Sequence, residues 1–211
     1  MTILALEFSS EQRSVASARN EVVLSEAVEK TGRHETNAFG LIEKVLAAAK
    51  VSRDEIEAIA VGLGPGSYTG IRAAIAMAQG WHLARGVKLL GVGGVECLAA
   101  QAQAEKIFGR VNVVMDAQRG EFYLAVWQIS ATRREEVSPL KIVAASEIER
   151  IKTQGGICLG PDGGTVLFPR AAMVAALAAG RKDWVAGEKL EPVYLREPAF
   201  VKAPLARFSA G

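Results

Sequence analysis

One local pattern occurs twice in this chain and limits the folds open to it. A short buried strand is expected over residues 3–8, its apolar run ending in Glu7. The polar turn Ser9-Ser10-Glu11-Gln12-Arg13 follows, and residues 14–18 then alternate small polar and apolar side chains, as a returning strand does. Residues 111–115 are again an apolar run, this time ending in Asp116. A turn at Gln118-Arg119-Gly120 and a strand-like run over 122–129 come next. A strand, an acidic residue, a turn and a returning strand, once in each half, point to a duplicated α/β fold. The first copy continues with a strand over 22–28, a helix over 38–49 and a strand over 56–61. A second helix over 71–85, a strand over 89–92 and a third helix over 95–104 complete it. The expected division is an N-terminal lobe, 1–106, with the order βββαβαβα, and a reduced C-terminal lobe, 107–211. In the second lobe, residues 137–143 are its expected third strand. Ser146 to Glu149 fits a capping box, and 171–179 is an Ala-rich helix. Pro192, Pro198 and Pro204 make the end of the chain an extended or irregular tail.

Composition supports a folded protein. Half of the 211 residues are hydrophobic and 23% are charged, which excludes a mainly disordered chain. With 25 basic against 23 acidic residues the net charge is +2, well short of the basic excess that free-standing nucleic-acid binding needs. The N-terminus has no basic segment and Glu7 interrupts its apolar run, so a signal peptide is not expected. No run of about 18 uncharged apolar residues is present to span a membrane, and the expected location is the cytoplasm. Cys97 and Cys158 are far apart in sequence, as reduced thiols are, and lack the paired spacing of a zinc site.

The most distinctive segment runs from Gly62 to Gly70, through Gly64, Pro65, Gly66, Ser67, Tyr68 and Thr69, directly into the second helix. It is not a Walker A loop, because no lysine follows Gly66. It is not a dinucleotide fingerprint, because Thr69 stands at the third glycine position. It is not a nucleophile elbow, because Pro65 and Thr69 flank Ser67. It reads either as an anion-attracting helix start or as a tight strand-to-helix turn capped by Ser67 or Thr69.

The helix that follows carries full charges only at Arg72 and Arg85. Ile71, Ala74, Ile75, Ala78 and His82 share one face; Ala73, Met77, Gly80 and Ala84 form another that is small and nearly flat. Such a helix is either wholly buried or packs against another chain. Where helices flank a sheet their outer face should be wet, which favours a partner. Elsewhere the chemistry is sparse. His34 and His82 do not form a ligand pair, and nothing singles out a nucleophile with its base. No metal site and no catalytic residue are expected. Glu7 and Asp116 would face each other across a cleft between the lobes and hold magnesium on a nucleotide phosphate, or else each caps its own turn.

Gly64-Pro65-Gly66-Ser67-Tyr68-Thr69-Gly70-Ile71-Arg72 closely resembles the Gly-Pro-Gly-Ser-Phe/Tyr-Thr-Gly-Leu/Ile-Arg signature of the bacterial TsaB (YeaZ) family. Gly91-Val92 with Glu96, Asp116-Ala117-Gln118-Arg119-Gly120-Glu121 and Tyr194-Leu195-Arg196 extend the likeness over nearly the whole chain. The resemblance implies two ribonuclease-H-like lobes of the actin-like, sugar-kinase-like ATPase fold, the second reduced. It implies a role in making N6-threonylcarbamoyladenosine at position 37 of ANN-decoding tRNAs. There the chain would be the non-catalytic partner of a TsaD subunit, with the ATPase TsaE completing the assembly. A homodimer would form when it is alone, and tRNA would be met through the complex. By position, the partner interface would draw on His34, Ala38, Leu41, Ile42 and Val45 around the first helix. It would also draw on Ala73, Met77, Gly80, Trp81 and Ala84 on the second. Glu7, Ser9, Asp116, Arg119 and Gly120 would mark a vestigial nucleotide site, with ATP or ADP and Mg2+ belonging to the complex. Two departures stand out. The family's Asp-Thr-Ser after the first strand is Glu7-Phe8-Ser9 here, and its His-Ser-Glu is His34-Glu35-Thr36. The competing expectation is an enzyme in its own right, an ATPase or a peptidase of the M22 (glycoprotease) type.

Overall fold

The computed structural model describes residues 1–30 and 37–195. Strands β1 (Thr2–Glu7), β2 (Gln12–Arg19) and β3 (Val22–Lys30) form an antiparallel meander. Helix α1 (Ala38–Ala49), β4 (Ala58–Gly62), α2 (Tyr68–Arg85) and β5 (Lys88–Val92) follow, with β4 parallel to β1 and β5 parallel to β4. Helix α3 (Gly94–Ala104) leads to a second meander of β6 (Gly109–Asp116), β7 (Glu121–Ile129) and β8 (Arg134–Ala144). Then come α4 (Ala145–Thr153), β9 (Ile157–Gly160), β10 (Thr165–Val166) and α5 (Ala171–Ala179). Among the described residues the strands make two five-stranded sheets, ordered β3-β2-β1-β4-β5 and β8-β7-β6-β9-β10. Each sheet places its third, second, first, fourth and fifth strand side by side in that order. The repeat seen in the sequence is therefore a repeat of topology.

Strand alternation divides the first sheet into two unlike faces. Leu4, Leu6, Ile59 and Val61 point to the face covered by α1 and α2, where Leu41, Ile42, Val45, Leu46, Ile71 and Ile75 fill the core. Ile3, Ala5, Ala16, Ala18, Ala58 and Ala60 point to the opposite face. Small side chains there leave room for a helix at close range, and α5 supplies one, through Ala171, Val174, Ala175 and Ala178. The chain expected to belong to the second lobe thus returns to the first. Two hydrogen bonds fix its start: Ala171 N–H donates to Ser14 Oγ at 2.9 Å and Ala172 N–H to Glu26 at 3.0 Å. Arg170 adds an ion pair to Glu26.

Helix α3 lies between the sheets. Cys97 packs into the first core, and Leu98, Ala99 and Ala102 pack into the second with Val111, Val113 and Leu159. Gln101 is 4% exposed in the same helix. Its Nε2 donates to Phe168 O at 2.9 Å, and its Oε1 accepts from Arg170 N–H at 3.0 Å. One buried amide therefore holds the segment that carries the chain back to α5.

Most elements lie within a few residues of their expected bounds, α2 starting earlier, at Tyr68. Two features differ. The expected capping box at Ser146 and Glu149 does not form. Strand β8 runs on to Ala144, so the helix begins straight from the strand and Ser146 already lies inside its first turn. A capping box does form at Ser52 and Glu55, where Ser52 N–H donates to Glu55 Oε2 at 2.8 Å. Strands β9 and β10 were not expected, because each is short and glycine-rich sequence surrounds them. Replacing Gln101 by Ala leaves the Phe168 carbonyl and the Arg170 amide without their partner in a partly buried place. The expected loss is about 1–3 kcal/mol of unfolding free energy, read from the urea midpoint at unchanged m-value.

Candidate functional site

The glycine-rich segment seats the start of α2 against the turn between β1 and β2. Ser67 N–H donates to Ser9 O at 2.6 Å. This approach needs a glycine at position 66, where φ is +149° and a Cβ would collide with Ser9 O. Ser67, not the exposed Thr69, caps the helix: its Oγ accepts from Gly70 N–H at 3.3 Å. Arg13 Nη2 donates to the same Oγ at 3.1 Å. Gly70 is glycine because a Cβ there would collide with Arg13 Nη1 and Phe8 O. Gly64 O accepts from Gly94 N–H at 2.7 Å, which ties the loop to α3. Pro65 lines the cleft described below. The Tyr68 ring stacks on Tyr194 with centroids 5.7 Å apart, and the Arg72 guanidinium lies 5.2 Å from the Tyr68 centroid.

Helix α2 has one dry and one wet side. Ile71, Ala74, Ile75 and Ala78 are buried on the sheet. Ala73, Ala76, Gly80 and Ala84 are exposed, Met77 and Trp81 are half-buried, and Leu83 is 85% exposed. A Cβ added to Gly80 would meet nothing within 4 Å. The small-residue face expected to meet a partner is therefore on the outside. The α1 expectations divide differently. Leu41, Ile42 and Val45 are buried in the chain's own core and are not available to a partner. The stripe that reveals a helix is the side it hides. Ala38 is half-buried, and His34 lies outside the described residues. On the outer side of α1, Phe39 is 73% exposed. Sequence reasoning missed Phe39 and Leu83; the available signal was that both fall off the buried stripe of their helix.

Ser9, Ser10, Arg13, Ser67, Asp116 and Asp162 line a cleft of about 900 Å³, with Tyr123 and Phe168 among its other walls. Glu7 and Asp116 do not face each other across it. Glu7 is fully buried, and its Oε1 accepts from Ser9 N–H at 2.7 Å. Its Oε2 lies against Gly62, where there is no room for a Cβ. Burial pushes the Glu7 carboxyl above the ordinary glutamate range, partly opposed by hydrogen bonding from Ser9 and by the charge of Arg13. Both carboxylate oxygens of Asp116 accept from Gln118, one from its N–H at 2.8 Å and one from its Nε2 at 2.7 Å. Asp162 Oδ2 accepts from Asp116 N–H at 2.7 Å. Burial, then the nearby Asp116 and Glu11 charges, raise the Asp162 carboxyl. Arg119 and Gly120 sit at an exposed turn outside the cleft lining. Of the expected nucleotide-site residues, Ser9 and Asp116 alone reach the cleft. Each acidic residue caps its own turn, so this carboxylate pair does not fit a magnesium nucleotide. Among the described residues no group of three or more His, Cys, Asp or Glu side chains converges as a metal site would. No helix there is long and apolar enough to cross a membrane.

The family model for TsaD, tRNA N6-adenosine threonylcarbamoyltransferase, matches residues 21–192. The tRNA threonylcarbamoyladenosine biosynthesis protein TsaB of Escherichia coli K12 is 30% identical, over 93% of this chain and 95% of that protein. TsaB of Haemophilus influenzae is 25% identical, over 97% of this chain and 98% of its own length. The structure of YeaZ from Pseudomonas aeruginosa superposes with a TM-score of 0.79 at 27% identity, covering 92% of this chain and 99% of that one. Two sheets of repeated topology, the glycine-rich seat of α2 and likeness along nearly the full length agree, and the chain belongs to the TsaB (YeaZ) family of tRNA threonylcarbamoyladenosine biosynthesis proteins.

Proposed function

We propose that this chain is the non-catalytic partner of a TsaD-type subunit in the assembly that makes N6-threonylcarbamoyladenosine at position 37 of ANN-decoding tRNAs. The observation that carries the reading is the outer face of α2: apolar, built of small residues, and open at Gly80. Small side chains let a second helix approach to the short end of the usual 8–10 Å. In this reading the homologous catalytic subunit docks there, and a second copy of this chain takes the same face when the subunit is absent. A TsaE-type ATPase joins the assembly, tRNA is met through the complex, and the ATP or ADP and Mg2+ that it uses are carried by the other subunits. The site of action is the cytoplasm. Independent ATP hydrolysis fits less well, because the two carboxylates it would use are engaged in their own turns.

Mixed with its cognate TsaD, the chain should elute as a heterodimer on size exclusion, and reconstituted modification should collapse when it is left out. A TsaD that is fully active alone would overturn the reading. Gly80→Arg should leave the monomer folded by circular dichroism, since the side chain enters open space. Pairing should weaken by about tenfold or more, because the cation would be desolvated at the centre of the interface.

The engaged state of Glu7 sets a pH dependence. With its folded-state carboxyl raised by burial, the native protein keeps a proton that the unfolded chain releases. Stability is therefore lost as pH rises from the ordinary glutamate range to the raised value, and is level beyond it. Glu7→Gln removes this loss while its carbonyl can still accept from Ser9 N–H. The variant's unfolding free energy relative to wild type should rise across that window in urea titrations and stay flat below it.

A further inference from the structure

The surface assigned above to a partner is held in place from inside the lobe, and Arg13 is the link. Its guanidinium reaches from β2 to the first turn of α2. There Nη2 donates to Ser67 Oγ at 3.1 Å, and Nη1 lies where a Cβ on Gly70 would be. A cation beside a helix N-terminus is disfavoured by the helix dipole, which is positive at that end. Burial also works against its charge, and Glu7 offsets part of this. The Glu7 carboxyl is itself buried and bonded to the turn at Ser9. Ser9 O in turn receives Ser67 N–H. Glu7, Ser9, Arg13 and Ser67 thus form one polar cluster joining β1, its turn, β2 and the first turn of α2. Arg13 and Ser9 also line the cleft, so the cluster reaches from the buried Glu7 to the open surface. The surface residue nearest to the cluster in sequence is Tyr68, at the start of the outward face and in contact with Tyr194.

We infer that Arg13 is a positioning residue for the pairing surface: by holding Ser67 it sets where the first turn of α2, and with it the outward face, stands on the lobe. The inference rests on the reading of α2 as the partner face. Arg13 touches no partner in it and acts through Ser67 alone.

The test measures affinity for the cognate TsaD, by titration calorimetry, of Arg13→Gln, Arg13→Lys, Gly70→Ala and Gly80→Arg, each checked for folding by circular dichroism. Gly70→Ala crowds both the guanidinium and Phe8 O, so it shifts the first turn of α2 directly and serves as the control for a displaced turn. The expected result is a loss of about tenfold in affinity for Arg13→Gln and Gly70→Ala, with folded monomers. Arg13→Lys keeps the charge without the fork and should fall between them and wild type. Amide hydrogen exchange should quicken in the first turn of α2 and stay unchanged in β6 and β7. A folded Arg13→Gln protein that binds within twofold of wild type overturns the inference, whatever Gly70→Ala does. So does general unfolding of all three Arg13 and Gly70 variants, which would make the cluster a plain stability element. If Gly80→Arg binds normally too, the partner-face reading itself fails; if it alone loses binding, that reading stands and only the role of Arg13 falls.

Discussion

Helix α3 meets water on almost none of its sides, and the rest of the molecule is arranged around that fact. From Cys97 to Ala102 every residue is buried, because one side faces the first sheet and the other the second. A helix in that position cannot carry an ordinary polar stripe. Its one strongly polar buried side chain, Gln101, is matched to a carbonyl and an amide of the incoming chain before α5. That match anchors the segment that leads into α5. Helix α5 closes the alanine-lined face of the first sheet, and α1 and α2 cover the other.

The duplicated pattern was legible because each copy repeats the same local events: an apolar run, an acidic residue that bonds the following turn, and a returning strand. Those are interactions between near neighbours in sequence, and near neighbours are what periodicity reports. The return of α5 to the first lobe was not legible. Nothing in residues 171–179 says which of two sheets they cover; the deciding feature is the run of alanines at positions 5, 16, 18, 58 and 60, dispersed over three strands. The false capping box at Ser146 has the same origin. Its residue types fit, but the true start of α4 is fixed by how far β8 stays paired with β7, through Glu121 and Ala144.

The site was legible in the same uneven way. The glycine-rich segment and the two-sided helix could be read directly, because a run of small residues is a local property. The α1 residues assigned to the interface by position fall on its apolar stripe, and a stripe marks what the lobe buries; Leu41, Ile42 and Val45 are core for that reason. Arg13 was invisible, since its importance depends on Gly70 and Ser67 more than fifty positions away. Glu7 was read for its charge, whereas its burial and its bond to Ser9 N–H are what the fold uses.

A face meant for a partner has two demands that conflict. It must be apolar enough to leave water readily, yet the unpaired subunit must not aggregate, and the small net charge of +2 gives it little electrostatic protection. Alanine and glycine reconcile these demands. Ala73, Ala76, Gly80 and Ala84 each expose little apolar area, so the free surface is only weakly sticky, while their lack of bulk lets a second backbone come close enough for extensive dispersion contact. Such a surface has shape but little grip. Leu83, Phe39 and Tyr68, all largely exposed, are long enough to enter a pocket on another molecule. On the reading proposed above, a flat small-residue track with isolated large anchors would recognise a complementary helix by fit, and by fit would distinguish a homologous lobe from an arbitrary greasy surface. Such selectivity would require the track to be held at a fixed angle, and the polar cluster that ties β1 and β2 to the first turn of α2 is where the lobe fixes it.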